Sequence, residues 1–256
     1  MKTLTTSLIA LFAGAILALT SFAGPEPIRD YKDSKDSKVV APVPPPCDWH
    51  GFYMGLHAGG EFGTSDNIDF DGYNSRNRHW SFDESGIVAG GQLGYNWQWH
   101  MLVFGPEVDL GYMHLNGHGV EPTSPNGDTR GITDSDFYTT IRARIGVALN
   151  CNWLIYATGG GIGVNYDTRV LDNSIIQPGP GLIDAHNQEM EWGYTAGAGV
   201  ERKLGPHWSI KLEYLYFNLA DQTFSGVSSG TRVGQVFSWN SDTDGHIVRG
   251  GVNFHF

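Results

Sequence analysis

Apolar and polar residues alternate with a period of two in eight stretches of the chain, and this pattern predicts β-strands. The clearest stretch is 87–99, in which one face carries apolar and aromatic residues up to Trp97 and Trp99. Pro106 predicts a bulge or a weak ladder position in the third strand, and glycines at 159–161 and 163 blur the two faces of the fifth. The eight predicted strands are 51–62, 87–99, 102–112, 137–149, 153–166, 192–203, 208–217 and 245–256.

The connections between these strands differ in length. Those near His100, 150–152 and 204–207 are short, whereas the other four run to roughly twenty polar residues or more. Short turns at one end and long loops at the other are typical of an all-β, eight-stranded, antiparallel up-and-down transmembrane barrel, with periplasmic turns and extracellular loops. A girdle of four tryptophans is expected at the short-turn end of such a barrel: Trp97, Trp99, Trp153 and Trp208.

Two other architectures compete with the membrane barrel. A soluble sandwich would also cover the apolar faces of the strands. It would therefore tolerate the apolar C-terminal strand, which would invite aggregation if it were exposed to water. Units of about fifty residues are typical of a kelch-like propeller, but each unit here has two strands where a blade has four. The sequence therefore favours the barrel over the propeller.

The N-terminal region predicts export. Lys2 precedes the apolar run 8–19, and small residues at 21 and 23 suit signal-peptide cleavage, so 1–23 is predicted to be a secretory signal. That run is too short for a membrane-spanning helix, which needs about 20 residues. Charged residues and prolines in 24–47 predict a disordered periplasmic leader, and 48–256 is left as one outer-membrane barrel domain.

Composition excludes several classes of protein. The 35 glycines and 12% aromatic residues, with a mean hydropathy of -0.25, favour many strands over a helical membrane protein. The net charge of -11 argues against nucleic acid as a partner.

Cys47 and Cys151 are too few for a disulfide scaffold. Both are predicted on the periplasmic side, but on roughly opposite walls, so a bond between them requires the leader to fold beneath the barrel.

Charged residues recur on the strand faces opposite the lipid-facing apolar residues. A charge facing lipid near the midplane costs several kcal/mol, and the interior of an eight-stranded barrel is just filled by side chains. Opposite charges are therefore expected to pair inside, Arg142 and Arg144 with Glu107 and Asp109 on the neighbouring strand, because an unpaired buried charge is far more costly. We interpret these charges as a structural ion-pair ladder, and a narrow conduction path and acid–base catalysis are the alternative roles. The members of the ladder are Glu107, Asp109, Arg142, Arg144, Glu201, Lys211, Glu213 and Arg249, with Lys203 continuing the pattern.

Other candidate sites carry weaker signals. Asp66, Asp69 and Asp71 lack the spacing of an EF-hand, and His114 and His118 lie where a loop is predicted to begin, off any helix that would bring them together. The glycines of 159–163 are not followed by the helix that a phosphate loop requires, and no Gly-x-Ser-x-Gly elbow occurs. No catalytic, cofactor-binding or metal-binding residue is predicted.

Five segments resemble the Omp25/Omp31-like outer-membrane immunogenic proteins of alphaproteobacteria, in the order usual for that family. They are 48–59 (DWHGFYMGLHAG), 154–161 (LIYATGGG), 192–200 (WGYTAGAGV), 208–217 (WSIKLEYLYF) and 247–256 (IVRGGVNFHF). The resemblance implies an OmpA-like eight-stranded barrel, inserted by the barrel-assembly machinery through a C-terminal strand whose assembly signal contains Phe254 and Phe256. Family members are abundant surface proteins, most without a known reaction.

The resulting hypothesis is a structural surface barrel that contributes to envelope integrity. Its expected partners are outer-membrane lipid and lipopolysaccharide, together with host or phage surfaces that its loops would contact. A small diffusion channel and a lipid-modifying enzyme are the alternative functions, and the oligomeric state is left open.

Overall fold

The computed structural model describes residues 48–74, 76–122, 129–149, 151–172, 182–230 and 232–256. The predicted signal peptide and leader, including Cys47, lie outside these ranges. No helix within them is long and apolar enough to cross a membrane. The strands are β1 (Gly51–Asp69), β2 (Arg78–Trp99), β3 (Leu102–Val120), β4 (Thr129–Leu149), β5 (Trp153–Asp172), β6 (Ile183–Lys203), β7 (Trp208–Leu219), β8 (Gln222–Val227) and β9 (Val236–His255).

The strands close into an antiparallel ring. Neighbours pair in chain order from β1 to β7, β7 pairs with β9, and β9 pairs with β1 from Tyr53↔His255 to Asp69↔Trp239. β8 pairs with β9 beyond the end of the β7–β9 ladder, so β7 and β8 occupy one position in the ring. The predicted eight-membered barrel is confirmed, but the described residues form nine strands, because the chain leaves the ladder at Ala220 and Asp221.

An apolar band surrounds the barrel, and a circle of aromatic side chains, or aromatic ring, bounds this band at each end. At the short-turn end Trp97, Trp99 and Trp208 are exposed, and Trp153 lies 5.2 Å from the Arg202 guanidinium. The residues between the rings, for example 52–62 of β1, match the roughly 9–11 tilted residues that cross a bilayer. Such a band suits hydrocarbon rather than water. The ring at the other end consists of Phe62, Tyr112, Phe137, Trp192 and Tyr194, all exposed.

The barrel wall continues well beyond the second aromatic ring. β1 has 19 residues and β2 has 22, about twice the length that a membrane requires. The prediction of four polar connections of about twenty residues is therefore wrong, since β1 reaches Asp69 and β2 already begins at Arg78. The reason is that the inward residues of this extension are polar, as Ser65, Asn67 and Asp69 are buried. Burial alternates there although hydrophobicity does not.

Pro106 interrupts one of the two ladders of β3. Pairing with β4 continues through Pro106↔Ala143, whereas pairing with β2 stops at Gly94↔Glu107 and resumes at Trp97↔Phe104. Proline has no backbone N–H to donate, which accounts for the gap. The predicted weak ladder position therefore exists on the β2 side.

The interior of the barrel is layered along its axis. Charged side chains occupy the level of the membrane, with a small apolar cluster below them at the periplasmic mouth. A larger cluster above them includes Met113, Tyr138, Ile162 and Phe217. The extracellular extension encloses another apolar cluster: Tyr73, Val170, Ile183, Ala185, Phe224, Phe237 and Trp239.

Candidate functional site: the charged interior of the barrel

The eight predicted charged residues all point into the barrel, and each is at most 4% exposed. They come from β3, β4, β6, β7 and β9. We call them the central charge cluster: Glu107, Asp109, Arg142, Arg144, Glu201, Lys211, Glu213 and Arg249. Lys203, which the sequence pattern also included, lies instead at the periplasmic mouth beside Trp49.

Arg142 joins three carboxylates. Its Nη2 lies 2.5 Å from Glu107 Oε1 and 2.8 Å from Asp109 Oδ2, and its Nη1 lies 3.2 Å from Glu213 Oε1. Glu107 is directly opposite Arg142 in the β3–β4 register. The register therefore places this pair within cross-strand reach.

Arg144 lies nearer the periplasmic end and pairs differently from the sequence-based expectation. Its Nη1 is 3.1 Å from Glu201 Oε2 and 3.6 Å from Glu107 Oε2. No ion pair between Arg144 and Asp109 occurs in the described part of the barrel. The guanidinium lies 4.5 Å from the Tyr53 ring and 5.1 Å from the Tyr156 ring, an arrangement that favours a cation through the ring quadrupoles.

Arg249 and Lys211 complete the cluster. Arg249 Nη2 lies 2.6 Å from Asp109 Oδ2 and 2.5 Å from Glu213 Oε2, and Lys211 Nζ lies 3.2 Å from Glu107 Oε1. Four cations thus face four carboxylates, and several carboxylates are shared between cations. The arrangement is a connected network of equal numbers of cations and carboxylates, in which most of the charges have more than one partner of opposite sign, and these partners offset the cost of burying them.

Neutral polar side chains extend this network, and the sequence analysis missed them. Tyr53 Oη donates to Glu107 at 2.7 Å, Tyr156 Oη donates to Glu213 at 2.9 Å, and His57 contacts both Gln92 and Tyr138. The alternation of inward and outward positions could have identified them, because each lies on the inward face of its strand. Their polar atoms satisfy lone pairs that the cations leave free.

Inward glycines make room for the tyrosine rings. Tyr53 is paired with Gly94, and Tyr156 with Gly199. A Cβ on Gly94 would lie 2.2 Å from the Tyr53 ring, and one on Gly199 would lie 2.5 Å from the Tyr156 ring. Each tyrosine therefore covers the glycine on the neighbouring strand, which allows it to reach the central charge cluster.

Three buried carboxyl groups lie above the central charge cluster: Glu61, Glu84 and Glu191, each at most 4% exposed. Among the described residues none of them has a cationic partner, and neither oxygen of Glu61 accepts a hydrogen bond. Glu84 accepts one from Tyr166 Oη at 2.5 Å. Glu84 and Glu191 lie outside the membrane-spanning segments, where burial raises the pKa of Glu84 to about 7 and that of Glu191 to about 8.

The weaker candidate sites have structural explanations. Asp69 Oδ1 accepts the backbone N–H groups of Gly72 at 2.8 Å and Tyr73 at 3.0 Å, so this carboxylate holds a turn. The histidines at 114 and 118 lie in β3 and not at the start of a loop. Four residues along a strand span about 13 Å, too far for one metal ion. No group of three His, Cys, Asp or Glu side chains in the described ranges could hold a metal ion.

The C-terminal aromatics and Cys151 lie at the periplasmic end. Phe254 packs edge-on against Trp208 at 5.2 Å, and Phe256 is 69% exposed on the outer face. Their role as an assembly signal stays a prediction. Cys151, in the turn between β4 and β5, is disulfide-bonded, and Cys47 lies outside the described residues.

Comparisons with known proteins agree with this architecture. A family model described as "Outer membrane protein beta-barrel domain" matches residues 40–256. The 31 kDa outer-membrane immunogenic protein of Brucella melitensis is 28% identical over 228 residues, which cover 86% of this chain and 90% of the relative. The 25 kDa outer-membrane immunogenic protein of Brucella abortus is 27% identical over 222 residues, or 85% of each chain.

A solved structure shows the same fold. The outer membrane protein OprG from Pseudomonas aeruginosa matches with a TM-score of 0.51 and 12% identity, covering 81% of this chain and 98% of OprG. The fold, the apolar band and the family match all lead to one assignment. The chain belongs to the outer-membrane β-barrel domain family, is similar to the Omp31 and Omp25 immunogenic proteins, and is an integral protein of the outer membrane.

Proposed function

We propose that this protein is a closed structural barrel that strengthens the outer membrane and presents a tall, rigid wall at the cell surface. The observation that carries the proposal is the central charge cluster. Arg142, Arg249 and the carboxylates they contact have side chains no more than 1% exposed. Side chains that pair with one another across the lumen occupy the space that an ion would need.

The channel alternative requires a hydrated path along the same axis. Apolar clusters lie both above and below the charged level, so a solute would have to displace packed side chains at three depths. Catalysis has no support from the site, because the carboxylates of the central charge cluster are already paired with cations. The curated relatives are named for their antigenic character and not for a reaction.

The partners we propose are lipopolysaccharide and surface ligands on host cells or phage. The extracellular extension supports this, since the strands rise past the second aromatic ring and carry exposed polar side chains such as the Arg169–Asp184 pair. Lipopolysaccharide surrounds this level of an outer-membrane protein. The chemistry of the wall is polar and of mixed charge.

Single-channel recording on the refolded protein tests the closed barrel. We expect no steady conductance from the wild type. A matched variant, Arg142→Ala combined with Arg249→Ala, removes two side chains from the centre. It tests whether conductance appears once space is opened in the interior. Steady openings in the wild type, with an ion selectivity that changes in the variant, would replace the structural proposal with the channel.

A further inference from the structure

The barrel wall has a gap in its extracellular extension, between β6 and β8. The β6–β7 ladder ends where β7 ends, at Leu219, and β8 pairs with β9 and with no other strand in the described ranges. Two backbone hydrogen bonds bound the gap. Ala220 N–H donates to the Trp192 carbonyl at 3.0 Å, and Ser229 N–H donates to the Leu182 carbonyl at 3.0 Å. Between these bonds, β6 is paired on its β5 side.

The side chains at this gap indicate that it opens into the barrel. Glu189 is paired with Tyr166, and Asn187 with Thr168, and directly paired residues project to the same face of a sheet. Tyr166 lies in the buried interior, so Glu189 also faces inward, yet Glu189 is exposed and Asn187 is half-buried. We call this opening between β6 and β8 the side window. It lies above Trp192 of the second aromatic ring, on the extracellular side of the membrane.

Carboxyl groups follow one another inward from the side window. Glu189 lies at the opening, and Glu191, two residues along β6 on the same face, is buried. Glu84 of β2 lies close enough to Glu191 to act on it electrostatically, and its Oε2 accepts a hydrogen bond from Tyr166 Oη at 2.5 Å. Glu84 Oε1 has no hydrogen-bond partner among the described residues. This oxygen is therefore available to a ligand that donates.

Glu61 is the innermost of these carboxyl groups. Its side chain is buried with 0% exposure, and neither oxygen has a hydrogen-bond partner in the part of the chain that the structure describes. A Cβ on Gly63, which is paired with Glu84, would lie 2.8 Å from Glu61 Oε1, so the Glu61 carboxyl group extends towards Glu84. A buried carboxyl group without a partner is costly. A bound cation would remove that cost.

The spacing of the carboxyl groups and the walls between them indicate the kind of cation. No three His, Cys, Asp or Glu side chains in the described ranges converge on one metal ion. Val164 is opposite Glu191, and a Cβ on Gly245 would lie 2.6 Å from the Phe217 ring and 2.9 Å from Glu61 Oε1. Apolar surface thus adjoins each carboxyl group. A linear alkyl amine with several ammonium groups has the matching form, because methylene groups separate its charges.

We propose that the side window admits a linear diamine or polyamine, whose ammonium groups pair with Glu61, Glu84 and Glu191. The central charge cluster closes the barrel below this level, so the amine is held and does not pass to the periplasm. Burial raises the pKa of Glu84 to about 7 and that of Glu191 to about 8, and an ammonium ion beside them displaces their protons.

Isothermal titration calorimetry on the folded protein in detergent tests the site, with putrescine and spermidine as the probes. We expect saturable binding of one amine per barrel, and weaker binding of butylamine, which has a single ammonium group. Glu84→Gln and Glu191→Gln should each weaken binding about tenfold, because an ammonium ion loses a charged partner. Asp134→Asn is the matched control, since Asp134 is exposed on the outer face next to the inward Thr133, and it should bind as the wild type does.

A charge reversal at the opening tests the side window separately. Glu189→Lys places a cation there and should weaken and slow binding, whereas Asp134→Lys reverses the same charge on the outer face and should not. Unchanged binding in Glu189→Lys would overturn the window. Absence of saturable binding, or equal binding by the wild type, Glu84→Gln and Glu191→Gln, would overturn the site. Displacement of putrescine by an equal concentration of Mg²⁺ would overturn the assignment of the ligand as an amine.

Discussion

Replacing Arg142 tests how far the central charge cluster stabilises the barrel. Arg142 contacts carboxylates at 2.5, 2.8 and 3.2 Å, and its side chain is 0% exposed. Arg142→Ala leaves four carboxylates with three cations. Removing one partner of a buried pair costs about 3–5 kcal/mol, because the remaining charge is uncompensated. We therefore expect the free energy of unfolding to fall by about that amount.

A second substitution separates the charge effect from the loss of packing. Glu107→Gln keeps the shape of the side chain but removes the uncompensated charge, so the double variant should recover part of the loss. The assay is denaturant unfolding in lipid vesicles, followed by tryptophan fluorescence. Arg169→Ala is the matched control. Its ion pair with Asp184 is 44% and 47% exposed, and an exposed pair contributes about 1 kcal/mol or less.

Two results would refute this reasoning. A stability of Arg142→Ala equal to that of the Arg169→Ala control would mean that water already solvates the cluster. Alternatively, the double variant could lose the sum of the two single losses, which would mean that packing and not charge balance sets the stability.

Deleting Phe256 should lower the amount of barrel in the outer-membrane fraction without lowering export, and normal assembly would argue against an assembly signal there. Burial raises the pKa of Glu84 to about 7 and that of Glu191 to about 8, so the folded barrel holds these protons more tightly than the unfolded chain. The free energy of unfolding should therefore fall as pH rises from the ordinary carboxyl value of 4.5 towards 8. Glu84→Gln or Glu191→Gln should flatten that dependence in unfolding curves, and an unchanged slope would contradict it. Gly94→Val should lower the midpoint of heat unfolding on gels, because the new side chain would displace the Tyr53 ring, and an unchanged midpoint would count against the Tyr–Gly contact.

The membrane part of the barrel could be predicted from the sequence because lipid imposes a strong pattern. Every lipid-facing position from Phe52 to Phe62 is apolar or small, so the period of two is visible without a structure. The extracellular extension has no such contrast. Ser65 and Asp69 point inward and Asp66 outward, yet all three read as loop residues.

The membership of the central charge cluster and the pairing of Arg142 with Glu107 and Asp109 could be predicted, whereas the nearest partner of Arg144 could not. The alternation of inward and outward positions and the cost of a charge in lipid are local properties, and together they place Arg144 inside. Its partner Glu201 comes from β6, across the lumen, and depends on the shear of the whole ring. The burial of Trp49 in the apolar cluster at the periplasmic mouth could not be predicted, because this residue precedes the first strand and no periodicity applies to it.

Closure of the ring by β1 and β9 has a consequence for how the chain reaches its folded state. The seam joins residues near 53 to residues near 255, so nearly the whole polypeptide must be available before it can form. Contacts of such high sequence separation form slowly, since the entropy of a long loop is lost first. Until then two open edges and an apolar outer face are exposed to the aqueous periplasm. We therefore expect the newly exported chain to depend on holding chaperones, and its refolding rate to fall when residues are inserted far from the seam.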